Sequence, residues 1–135
     1  MKEQTKRILI AEDSSEWQRF HAEQLRSYNK LNLEFDIASS ARDALELAQQ
    51  NINNPYDLIL SDLQMETEFL PEFAGEWFVK NLKNIKEYEN TPVVLISATY
   101  NIAFIASSLG VDYLSKRSIV SSPLSYFFML DEHLL

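Results

Sequence analysis

The chain has 135 residues, 46% hydrophobic and 24% charged, enough for one domain with a sizeable core and too few for two ordinary ones. Its formal charge of -8 comes from 12 basic and 20 acidic residues, with the basic ones scattered, which argues against direct nucleic-acid binding. The absence of cysteine excludes a disulfide framework and thiolate chemistry, and no apolar run approaches the roughly 20 residues of a membrane span.

In chain order, the apolar run of "MKEQTKRILIAED" is too short for a secretory signal, so a cytoplasmic location is expected. Within it "RILIA" (7–11) reads as a strand. A helix follows, capped by Ser14 or Ser15, with Trp17, Phe20, Leu25 and Tyr28 on one face. "LEFDIA" (33–38) is the second strand, and Ser40 caps a helix with Ala41, Ala44, Leu45, Ala48 and Ile52 inward, stopped by "NNP". "DLILS" (57–61) is the third strand. The third helix carries Ala74, Phe78, Leu82 and Ile85. "PVVLIS" (92–97) leads to a helix with Ile102, Ile105, Ala106 and Leu109, closed by Gly110. "VDYLS" (111–115) is the fifth strand, and a last helix follows Pro123, with Leu124, Phe127, Phe128 and Leu134.

Five strands alternating with five helices imply βαβ units and a parallel sheet, an α/β fold. Ligands of such sheets bind beyond the carboxyl ends of the strands. Those ends carry Glu12 and Asp13, then Asp62, Ser97 and Lys116. By itself Asp62 could be a helix cap, a metal ligand or a nucleophile. Three converging carboxylates repel one another unless a cation offsets them, and a hard ion such as Mg²⁺ suits oxygen ligands. An aspartate beside Mg²⁺ and a lysine can attack phosphorus, with Ser97 donating to a phosphoryl oxygen.

The acidic pair of "ILIAEDS", the aspartate of "LILSDLQM", the serine of "VVLISAT" and the aromatic and lysine of "DYLSK" together resemble the receiver domains of two-component response regulators. The resemblance spans about Arg7 to Leu130 and implies one receiver domain over 1–135, doubly wound and flavodoxin-like, with sheet order 2-1-3-4-5. It implies that Asp62 is the phosphoacceptor, that Asp13 binds Mg²⁺ directly and Glu12 through water, and that the backbone carbonyl of Gln64 is another ligand. It makes Ser97 and Lys116 the phosphoryl-holding groups, and Ser97 with Tyr113 the switch. The implied donor is a phosphohistidine on a sensor histidine kinase or histidine phosphotransfer protein, and the implied role is signalling rather than enzymatic turnover.

The chain departs from the family pattern in two places. Arg117 stands where a proline usually follows the lysine, and a trans Lys116–Arg117 peptide is expected because cis costs a non-proline residue roughly 2.5–4 kcal/mol. "METEFLPEFAG" replaces the usual "MPxMDG", with Met65 and Gly75 as its ends and about five extra residues between them. A receiver-like interaction module that is not phosphorylated is the alternative reading. A haloacid-dehalogenase-like phosphohydrolase would need an aspartate where Gln64 stands, and two glycines provide no phosphate-cradling loop for a nucleotide. His21 and His133 are expected at the surface or its boundary. Tyr100, Phe104, Tyr113 and Tyr126 are expected partly exposed, and Phe127 and Phe128 buried. A downstream partner or a second copy would dock on the 98–128 face.

Overall fold

The apolar runs pair side by side in the computed structural model, which describes residues 5–65 and 74–135. β1 (Thr5–Ala11), β2 (Asn32–Ala38), β3 (Leu58–Ser61), β4 (Val93–Ser97) and β5 (Asp112–Ser115) form one parallel sheet. Its order is β2-β1-β3-β4-β5, the expected one, with β2 and β5 at the edges. The three inner strands are buried on both faces, and their alternation divides the core. Leu9, Ala11, Ile59, Val93 and Leu95 belong to one cluster, and Ile8, Ile10, Leu58, Leu60, Val94 and Ile96 to the other.

Helices cover each face. α2 (Ala41–Gln50), α3 (Ala74–Leu82) and α4 (Ile102–Leu109) pack on the first cluster, while α1 (Ser15–Ser27), α5 (Lys116–Ser121) and α6 (Leu124–Leu134) pack on the second. The hydroxyl of Ser14 accepts from Trp17 N and that of Ser40 from Asp43 N, each satisfying a donor that the helix start leaves open, typically for about 1 kcal/mol. Gly110 ends α4 at φ 71°, the left-handed conformation that glycine adopts without a Cβ penalty.

Six α-helices stand among the described residues where five were expected. The added one, α5, starts directly at Lys116: Ser115 caps it by accepting from Arg117 N, and Lys116 and Ile119 are its buried residues. No peptide among the described residues is cis, so Lys116–Arg117 is trans as expected.

Side-chain placement corrects the expectations for six residues. α6 turns Tyr126, Met129, Leu130 and Leu134 inward at helical spacing. Tyr126 is therefore 0% exposed, whereas Phe128, about 200° around the helix from it, is 64% exposed. Phe127 is only half-buried, edge-on to Tyr28, and Leu124 is exposed. His21 is 1% exposed rather than superficial, because it lies on the apolar stripe of α1 between Trp17 and Leu25. Ile52 falls beyond the end of α2 and is exposed. Tyr100, Phe104 and Tyr113 are exposed, as expected. The insertion between Met65 and Ala74 lies outside the described residues.

Candidate functional site

The ends of β1, β3 and β5 bring Glu12, Asp13, Asp62 and Lys116 to one place. Register explains this: Ala11 pairs with Ser61, so the residues that follow leave the sheet at the same level. Asp62 N donates to Ala11 O at 2.8 Å and Glu12 N to Ala38 O at 2.9 Å, extending the ladder by one bond on each side. Glu12, Asp13 and Asp62 each offer a carboxylate oxygen, and the three atoms lie within 4.8 Å of one another.

Asp62 is held by both oxygens. Oδ1 accepts from Leu63 N at 2.6 Å and more weakly from Gln64 N at 3.4 Å, while Lys116 Nζ donates to Oδ2 at 2.9 Å. Burial and the neighbouring Glu12 push the Asp62 carboxyl up to about 6, against the opposing pull of Lys116. Lys116 Nζ also lies 3.0 Å from Glu12 Oε1 and 4.8 Å from the centre of the Trp17 ring.

Glu12 divides its oxygens. Oε2 accepts from Ser14 N at 3.1 Å; Oε1 is fully buried and has no hydrogen-bond donor among the described residues, since the Lys116 contact is an ion pair without hydrogen-bond geometry. Burial would raise this carboxyl, but His21 and Lys116 beside it hold it below the usual range. An unpartnered buried carboxylate oxygen facing two further carboxylates is a donor set that fits a hard cation.

His21 completes a chain through the core. Its Nδ1 lies 2.6 Å from the Tyr126 hydroxyl and its Nε2 3.8 Å from Glu12 Oε1. Burial pushes the imidazole below the ordinary histidine range, with Glu12 opposing.

The other expected site residues stand as follows. Gln64 is exposed beside Asp62. Ser97 is buried, and its hydroxyl donates to Thr99 Oγ1 at 3.1 Å while accepting from Thr99 N at 3.2 Å. Tyr113 faces outward, lining with Phe128, Met129 and His133 a cavity of about 290 Å³ between β5 and α6. Arg117, in the place of the usual proline, donates to Ala98 O at 2.8 Å and ties the start of α5 to the loop after β4.

Sequence reasoning missed His21 and the Trp17 ring over Lys116. Both lie on the apolar face of α1, and a polar side chain on such a face was the available signal. It treated Gly75 only as the end of the insertion. Gly75 N donates to Leu63 O at 2.9 Å, and a Cβ there would lie 2.4 Å from Asp62 O.

The geometry defines a doubly wound α/β protein with a carboxylate-rich pocket at the strand ends. The sequence model of the response regulator receiver domain matches residues 8–121. Part of hybrid signal transduction histidine kinase D of Dictyostelium discoideum is 29% identical over 112 residues, 81% of this chain. The chain spans only 6% of that relative's length. Among solved structures, chemotaxis protein CheY4 of Vibrio cholerae superposes with a TM-score of 0.78 at 22% identity, over 97% of this chain and 100% of that one. A phosphorylated cyanobacterial phytochrome response regulator, RcpA, gives 0.73 at 25% identity over 94% and 89%. The Mn²⁺-bound form of response regulator Rcp1 gives 0.69 at 25% over 82% and 81%. The chain belongs to the response regulator receiver domain family of two-component signalling. No helix among its described residues is long and apolar enough to cross a membrane.

Proposed function

We propose that this chain is a cytoplasmic phosphoacceptor that takes a phosphoryl group from a phosphohistidine onto Asp62 and signals by a change of conformation rather than by turnover of a substrate. One observation carries the reading: three carboxylates converge within 4.8 Å while Lys116 bridges two of them. The phosphorylated and the Mn²⁺-bound response regulators at 25% identity add support.

Mg²⁺, held by Asp13, Asp62 and the Gln64 carbonyl, with Glu12 through water, would neutralise phosphoryl oxygens as charge shifts onto them. The amides of Leu63 and Gln64 orient Asp62, so that one carboxylate oxygen attacks phosphorus as the bond from phosphorus to the donor imidazole nitrogen breaks. That nitrogen keeps the electron pair. Lys116 then exchanges its bond to Asp62 for one to a phosphoryl oxygen, and Ser97 turns its hydroxyl from Thr99 to another.

Mass spectrometry after incubation with Mg²⁺ and acetyl phosphate or phosphoramidate tests this. One added phosphoryl group is expected, absent in Asp62→Asn and strongly reduced in Asp13→Ala. An unchanged parent beside a working control receiver would favour the unphosphorylated interaction module.

Exposed Tyr100, Phe104, Tyr113 and Phe128 support a docking face within 98–128 for a downstream protein or a second copy. Movement of Ser97 would couple the pocket to that face through Tyr113. Beryllofluoride is expected to shift amide resonances across 98–128. Shifts confined to the pocket and the 66–74 insertion would move the output there.

A further inference from the structure

We infer that His21 is a positioning residue for the acidic pocket, holding Glu12 Oε1 toward the cation while Tyr126 fixes the imidazole from behind. The inference rests on the cation reading above and extends it to the core of the molecule.

Glu12 Oε2 is already fixed by Ser14 N, which leaves Oε1 as its open end. Two cationic or polar groups stand beside Oε1: Lys116 Nζ at 3.0 Å and His21 Nε2 at 3.8 Å. Lys116 is shared, since it also donates to Asp62 at 2.9 Å, and phosphoryl transfer would draw it away from both carboxylates. His21 has no second carboxylate to serve among the described residues. It is the group that remains at Glu12 when Lys116 leaves.

The proton on His21 follows from its neighbours in either charge state. Nε2 lies 3.8 Å from Glu12 Oε1, beyond a hydrogen bond in the metal-free pocket, and the charge of an oxygen that only accepts favours hydrogen on that nitrogen. In the neutral ring Nδ1 is then the acceptor, and Tyr126 O–H donates to it across 2.6 Å. Trp17, Phe20 and Tyr126 surround the ring with centroids at 6.4, 6.4 and 5.5 Å, which limits its rotation. This is the arrangement by which outer groups orient a metal-binding carboxylate, and loss of such groups typically weakens metal binding 10–100-fold. Any buried histidine needs a partner such as Tyr126; a histidine that merely filled the core would not need its other nitrogen aimed into the pocket.

The test is Mg²⁺ titration of the full chain by calorimetry, alongside urea unfolding of each metal-free variant. His21→Leu is expected to weaken Mg²⁺ binding by about 10-fold or more. His21→Gln, which places an amide nitrogen near the position of Nε2, recovers most of the loss. Tyr126→Phe keeps the ring packing and weakens binding by a smaller factor. ¹⁵N spectra of labelled histidine should show hydrogen on Nε2 and its resonance moving on Mg²⁺ addition. Parent-like affinity in both His21→Leu and Tyr126→Phe, with Asp13→Ala defective, would overturn the inference and leave the cation site standing. A parent that binds no Mg²⁺ would overturn both. If His21→Leu fails to fold, Tyr126→Phe and the nitrogen spectra decide.

Discussion

Gly75→Ala is expected to lower the unfolding midpoint by about 10 °C and to reduce phosphoryl acceptance at Asp62 more than stability alone requires. Gly75 is the second residue of α3, and an alanine in a helix would ordinarily gain about 1 kcal/mol over glycine. Here its Cβ would lie 2.4 Å from Asp62 O and 2.8 Å from Leu63 Cα. Both are backbone atoms, so no rotamer change relieves the overlap; either α3 lifts off the sheet or the chain after β3 moves. Overpacking of this kind costs about 1–3 kcal/mol, and the rigid contact places it at the upper end. At about 4 °C per kcal/mol for a domain of this size, the midpoint falls by the stated amount. The displaced segment carries the two amides that hold Asp62 Oδ1, so the pocket is damaged first. A thermal scan with parent-like midpoint, together with parent-like labelling, would refute the packing account.

Asp62→Asn is expected to stabilise the metal-free protein at neutral pH by about 1–3 kcal/mol, with the gain disappearing in acid. The folded Asp62 carboxyl is raised from 3.8 to about 6 by burial and by Glu12. A raised acid binds its proton more tightly folded than unfolded, so the parent loses stability as pH climbs from about 4 to 6 and carries the full penalty above that. A shift of that size corresponds to roughly 3 kcal/mol, from which the asparagine loses part because its amide meets Lys116 less well than a carboxylate does. Urea unfolding in EDTA at pH 4, 5, 6 and 7.5 reads the difference. It should widen with pH and narrow again when Mg²⁺ replaces EDTA, since the cation then offsets the repulsion in the parent. A variant less stable than the parent at every pH would mean that the bond from Lys116 outweighs the crowding of charge.

The strands were legible because their signals are strong: inner runs such as "ILIA" and "VVLIS" are apolar throughout, as strands buried on both faces must be, whereas their order came from the resemblance to receiver domains. Helix starts at Ser14 and Ser40 were legible through their caps. The site was legible because residues at adjacent strand ends need no knowledge of side-chain direction to be placed together. What failed was direction around a helix. Tyr126 and Phe128 exchanged their expected places because a hydroxyl was weighted toward solvent, whereas in the fold it finds His21 as a partner. His21 itself was read as a histidine rather than as a member of the Trp17–Leu25 stripe. α5 escaped notice because it is a single short segment with one apolar side chain buried, Ile119, too little for a period to register.

The open edges of the sheet bear on how two copies of the chain could meet. β2 presents Glu34 and Asp36 among its exposed residues, and β5 begins at exposed Asp112. Zipping one strand edge onto another would set these carboxylates beside their counterparts in chains of net charge -8. Two copies are thereby discouraged from continuing each other's sheet, and docking over α4 and its aromatic neighbours, as proposed above, would separate again without unravelling any backbone pairing.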